Sequence, residues 1–176
     1  MEMTVLVAAA SKHGATQEIA ERIGAELADR GVAVEVKKLE DVEDLGGYEA
    51  FVLGSSVYLG SWMKEARRFV DAHASDLAQR PTWLFASGSI VGDPPIADDP
   101  NALRAGLAER LVETTRAREH KLFAGKLDTG KLGLLEKAAV RGAHASEGDH
   151  RDWQAIDTWA AMIARELQNE PAPGSS

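Results

Sequence analysis

Apolar residues fall in short runs that end in hydroxyl- and glycine-bearing turns, and these runs alternate with stretches of helical period. Thr4–Ala10 (TVLVAAA) is apolar almost throughout, the pattern of a parallel strand covered on both faces. A polar turn follows at Ser11–Thr16. Ile19, Ala20, Ile23 and Leu27 then recur at helical spacing, with Gly31 where a C-terminal cap belongs. Val32, Val34 and Val36 alternate, which predicts a second strand at a sheet edge. Ala50–Gly54 predicts a third strand ending in Ser55-Ser56, and Met63, Ala66, Phe69, Val70 and Leu77 predict one helix after it. Pro81 opens a strand over Thr82–Ala86 that ends in Ser87-Gly88-Ser89. Residues 90–100, with Gly92, Pro94, Pro95 and Pro100, read as a loop. Leu103, Leu107 and Leu111 predict a helix, and His120–Leu127 a short strand. Trp153, Ile156, Ala160, Ile163 and Leu167 predict a final amphipathic helix, with Asp152 near its N-terminus.

The alternation of strands and helices predicts one α/β domain over residues 3–168, a doubly wound parallel sheet of five strands with helices on both faces. Before the last helix, residues 128–151 exceed the roughly 2–6 residues usual for such connections. This insertion contains a predicted short helix, Leu132–Val140, whose apolar side suits its own domain, a partner or a membrane surface. Residues 169–176 (NEPAPGSS) have the composition of a disordered tail.

Composition narrows the function classes. A net charge of −8 argues against a general nucleic-acid binder, since phosphate neutralisation needs surplus Lys and Arg. It suits encounters with positively charged partners. The absence of cysteine removes disulfides, thiolate catalysis and Cys-ligated metal centres. Met1–Ala10 has no basic stretch of a signal peptide, and no apolar run approaches the roughly 20 residues that span a bilayer. The expectation is a cytoplasmic protein without a transmembrane segment. His13, His73, His120, His144 and His150 are scattered, and His144-x5-His150 reads as a solvated loop. No catalytic side chain and no metal site are predicted.

In an open parallel sheet, ligands bind beyond the carboxyl ends of strands where the strand order reverses. Three turns therefore matter. In the first, Ser11, Lys12, His13, Gly14, Ala15 and Thr16 combine hydroxyls, small residues and a helix start, which suits a phosphate. The same residues equally make an ordinary turn and helix cap. In the second, Ser55, Ser56, Val57, Tyr58, Leu59, Gly60 and Trp62 suit a planar amphipathic ring, with Tyr58 and Trp62 as candidate ring neighbours. In the third, Ser87, Gly88, Ser89, Ile90, Val91, Gly92 and Asp93 offer backbone amides to the polar edge of such a ring.

The turn S-K-H-G-A-T after TVLVAAA resembles the phosphate loop of flavodoxins, usually Ser/Thr-x-Thr-Gly-x-Thr. Ser11, Gly14 and Thr16 match, and His13 stands where the middle threonine is typical. The segments GSSVYLGSW (54–62), FVDAHA (69–74), FAGKLD (123–128) and EGDHRDW (147–153) are similar to a narrower branch, related to menaquinone-dependent protoporphyrinogen IX dehydrogenase. The resemblance covers nearly all of residues 4–167. It implies a flavodoxin-like sheet of order 2-1-3-4-5, a bound FMN, and electron transfer linked to a quinone or a porphyrinogen. Asp93 then becomes a candidate acidic rim that disfavours anionic reduced flavin and lowers its potential.

Two departures bear on substrate. The insertion carries Glu136, Glu147 and Asp149 among Lys131, Lys137 and Arg141, with Lys126 just before it and no aromatic residue before Trp153. Tyr58-Leu59 stands where the branch suggests a basic-aromatic pair. FMN binding thus carries over further than porphyrinogen oxidation. The resulting expectation is an FMN-dependent oxidoreductase with a redox partner or small acceptor such as a quinone. The alternatives are an electron carrier without a substrate of its own, or a cofactor-free interaction module on the same fold. Oligomeric state is not legible in the chain.

Overall fold

The computed structural model describes residues 3–58, 61–88, 102–124, 126–127, 148–149 and 151–170. The chain order is β1 (Thr4–Ala10), α1 (Ala15–Asp29), β2 (Ala33–Lys38), a 3₁₀ turn (Leu39–Asp41), β3 (Ala50–Tyr58) and β4 (Ser61–Trp62). Then come α2 (Lys64–Ala72), α3 (Ala74–Ala78), β5 (Thr82–Gly88), α4 (Ala102–Thr115), β6 (His120–Ala124), β7 (Lys126–Leu127), β8 (Gly148–Asp149) and α5 (Trp153–Gln168).

The main sheet runs β2-β1-β3-β5-β6, all parallel, with β4 added antiparallel to β3. Counting only the parallel strands, this is the expected 2-1-3-4-5 order. Alternation along each strand separates two cores. Val5, Val7, Val52, Trp83 and Phe85 face α1 and α5, packing with Ile19, Ile23, Leu27, Ile156, Trp159 and Ile163. Leu6, Ala8, Phe51, Leu53 and Leu84 face the other way, with Val70 of α2, Leu77 of α3 and Leu111 of α4. Both faces of the central strands are therefore dry, which explains their lack of polar alternation.

Helix ends follow local chemistry. Gly31 has φ 84°, a conformation that costs glycine little. Gly31 N–H bonds Ala28 O at 3.0 Å and Val32 N–H bonds Leu27 O at 3.1 Å, the paired bonds of a Schellman cap. Asp152 caps α5, its Oδ1 accepting from Ala155 N–H at 3.0 Å.

Three expectations need correction. The single helix after β3 is bent into α2 and α3 at His73 (φ −113°, ψ 17°). Hydrogen bonds still cross the bend, from His73 N–H to Phe69 O and from Leu77 N–H to His73 O, each 3.0 Å. The third and fourth strands of the parallel set run past their expected ends, because Ser56 and Val57 of β3 pair with Ser87 and Gly88 of β5. Backbone pairing carries these hydroxyl-bearing residues as strand, not turn. The expected strand over 120–127 divides, with β6 in the main sheet and β7 pairing antiparallel with β8, Lys126 opposite Asp149. Among the described residues, no helix is long and apolar enough to cross a membrane. The 90–100 loop, the insertion helix Leu132–Val140, His144, His150 and the segment 171–176 lie outside the described residues.

Candidate functional site

The strand order reverses between β1 and β3, and there the two strands end at different heights. The last pair between them is Ala10 with Ser55, after which β3 continues through Ser56, Val57 and Tyr58. The chain leaving β1 turns through Ser11–Gly14 beside this overhanging edge. Gly14 adopts φ 90°, ψ −17° and starts α1. Its N–H donates to Ser11 Oγ at 3.0 Å, and its carbonyl accepts from Glu18 N–H at 3.1 Å. A Cβ built on Gly14 meets nothing within 4 Å, so glycine is needed there for its backbone angle rather than for space.

A glycine at the N-cap leaves α1 with no side-chain cap, in contrast to α5 with Asp152. The first amides of a helix have no carbonyl partners inside it, and with the dipole they make an anion site. Thr16, 2 % exposed, sits in this first turn. Its Oγ1 lies 2.7 Å from Ser56 Oγ, so the turn is joined to β3 by a hydroxyl pair. The next residue, Gln17, has a buried Oε1 with no hydrogen-bond partner among the described residues, an acceptor and so no part of an anion's donor set. Ser11 and Ala15 are half-buried, while Lys12 and His13 are exposed. This donor set fits a phosphate: hydroxyls, uncapped amides and two exposed basic side chains around a left-handed glycine.

The ring-side residues divide. Ser56 belongs to the crevice through Thr16. Ser55 does not use its side chain there: it is fully buried, its Oγ accepting from Met63 N–H at 3.0 Å and donating to Ser56 O at 2.9 Å. Trp62, expected beside the ring, is 2 % exposed and packs in the core on the α2 side. Its indole N–H donates to His120 Nε2 at 3.1 Å, so its polar edge is taken up within the protein. The periodicity of the turn could not separate a wall residue from a core residue. Val57 and Gly88 meet closely, since a Cβ on Gly88 would lie 2.8 Å from Val57 O. Ser87 is 3 % exposed at the end of β5. Tyr58 closes β3, but its side chain lies outside the described residues, as do Leu59, Gly60, Ser89, Ile90, Val91, Gly92 and Asp93.

Two residues near the site had no signal in the periodicity. Gln17 is one. Arg151 is the other, pairing with Glu18 in the first turn of α1 across 133 positions.

Burial lowers the pKa of His120 from its ordinary 6.5. Because Nε2 accepts from Trp62, protonation would also set two N–H groups against each other. The unfolded chain then binds more protons than the folded one below about pH 6.5, so this contribution to stability is full above that value and is lost as pH falls. The wild type should therefore lose stability through this group as pH falls below about 6.5. Urea unfolding of His120→Gln should show a shallower slope over that range. Equal slopes would mean that His120 is not the titrating group.

The chain matches the Flavodoxin domain family over residues 6–154. It is 26% identical to the protoporphyrinogen IX dehydrogenase [quinone] of Escherichia coli (strain K12), across 96% of this chain and 98% of that protein. A solved flavodoxin from the domain Archaea superposes with a TM-score of 0.62 at 19% identity, covering 95% of this chain and 100% of that one. The oxidised flavodoxin 2 of Bacillus cereus gives 0.61 at 20% identity, covering 93% and 99%. The family match spans the sheet, the uncapped helix start and the turns after β3 and β5: the chain belongs to the flavodoxin-domain family.

Proposed function

We propose that the chain binds FMN non-covalently at the β1/β3 reversal and transfers electrons through it. Bound FMN supplies the redox chemistry, and the protein supplies binding, orientation and electrostatics. Residues Ser11–Thr16 hold the phosphate, through hydroxyls and the first amides of α1. The backbone of β3 beyond Ser55 and the turn after β5 flank the ring.

One observation carries this reading. A helix start without a side-chain cap faces the overhanging edge of β3, and Thr16 is linked there to Ser56 at 2.7 Å. The similar E. coli protein is named for a quinone-linked dehydrogenase, which favours an oxidoreductase using a quinone or porphyrinogen. The second reading, an electron carrier without its own substrate, is favoured by likeness to single flavodoxins over nearly their whole length.

The absorbance spectrum of the purified protein tests the cofactor. Flavin bands, with release of FMN on denaturation, are expected. A folded protein that stays colourless after saturation with FMN removes the redox assignment. Turnover of a quinone with the reduced protein separates enzyme from carrier.

A further inference from the structure

Arg151 is placed against the usual electrostatics of helices. Its side chain is 5 % exposed, although it carries a full charge. The guanidinium pairs with Glu18 in the first turn of α1, donates to Ala15 O at 3.4 Å, and lies 4.5 Å from the centre of the Trp153 ring. It immediately precedes Asp152, the cap of α5. One cation thus stands at the starts of two helices, where the dipoles disfavour positive charge. Joining the helices does not require this burial. Further along the same seam, Arg22 meets Asp157 at 2.6 Å with side chains 46% and 28% exposed.

Glu18 explains the arrangement. It is the acidic residue of the first turn of α1. A carboxylate there satisfies the helix dipole and repels any second anion at the same end. A phosphate monoester arriving at the uncapped amides would meet that repulsion. We propose that Arg151 is a charge-compensating positioning residue: it neutralises Glu18 so that the phosphate turn accepts a dianion. The inference rests on the FMN reading above and deepens it. It makes Arg151 a determinant of preference for a phosphorylated flavin over the neutral one.

The test titrates FMN and riboflavin into flavin-free wild type, Arg151→Gln, Glu18→Gln and the double variant at low salt, following flavin fluorescence. Arg151→Gln should weaken FMN about tenfold, leave riboflavin within about twofold, and lose most of its effect at high ionic strength. Glu18→Gln alone should not weaken FMN. The double variant should return to within about threefold of wild type, because the charge to be compensated is gone. Arg151→Lys, which keeps the charge, should hold the wild-type ratio of FMN to riboflavin affinity even if Arg151→Gln fails to fold. Equal losses for both flavins, or a double variant as weak as Arg151→Gln, would reduce Arg151 to a structural brace. Wild type that binds neither flavin overturns the FMN reading itself, before any variant is compared.

Discussion

Gly54→Ala should lower the stability of this protein by about 3 kcal/mol, the upper end of the usual cost of overpacking. Gly54 lies in the middle of β3, opposite Phe85 of β5. A Cβ there would stand 2.2 to 2.4 Å from three atoms of the Phe85 ring, well inside contact distance. The ring has little freedom to retreat. It is fully buried and packs on Phe123 and Trp159, with centroids 6.3 and 6.1 Å away. In thermal denaturation the variant should melt about 6–12 °C lower, at roughly 2–4 °C per kcal/mol for a chain of this size. Adding Phe85→Leu should recover part of the loss, since a smaller side chain vacates the clash. A Gly54→Ala protein that melts with wild type would show that the neighbouring strand yields without cost.

The combined Gly14→Val, Thr16→Ala variant should lose about a hundredfold in FMN affinity. Valine at φ 90° is strained because the left-handed region suits β-branched side chains poorly. The loop must then leave the geometry in which Ser11 Oγ accepts the Gly14 N–H. Alanine at 16 removes a hydroxyl, and hydrogen bonds to charged groups contribute about 1.5–3 kcal/mol each. Riboflavin, which has no phosphate, should be affected far less. Fluorescence titration of both flavins measures the contrast. Undiminished FMN retention would remove the phosphate from the first turn of α1.

Much of the architecture was legible because the signals were local. The run Thr4–Ala10 coincides with β1, and Gly31 and Asp152 lie at the helix ends they predicted. What escaped depends on partners distant in sequence. Ser55 and Ser87 carry turn-like side chains, yet their backbones are held in the ladder by one another's strands. The burial of Trp62 and the bond from its N–H to His120, 58 positions on, are likewise set by the fold. Of the proposed phosphate turn, Gly14 and Thr16 were readable from spacing. The Ser56 hydroxyl that meets Thr16, and the Arg151–Glu18 pair, are products of folding. A cation directly before a helix cap is a local feature that could have pointed to Arg151.

The division of the core into two faces also gives the nascent chain a schedule. On one side, Leu6, Phe51, Leu53 and Leu84 find their cover from residues up to Ala117. On the other, Val5, Val7, Val52, Trp83 and Phe85 need α5, which supplies Ile156, Trp159, Ala160, Ile163 and Leu167 and is made after every strand of the main sheet. Until then a half-covered sheet stands open to water, and to any chaperone that recognises apolar surface. The first helix must wait for α5, and the turn at its tip gains its final bracing only once Arg151 and the helix behind it have been made.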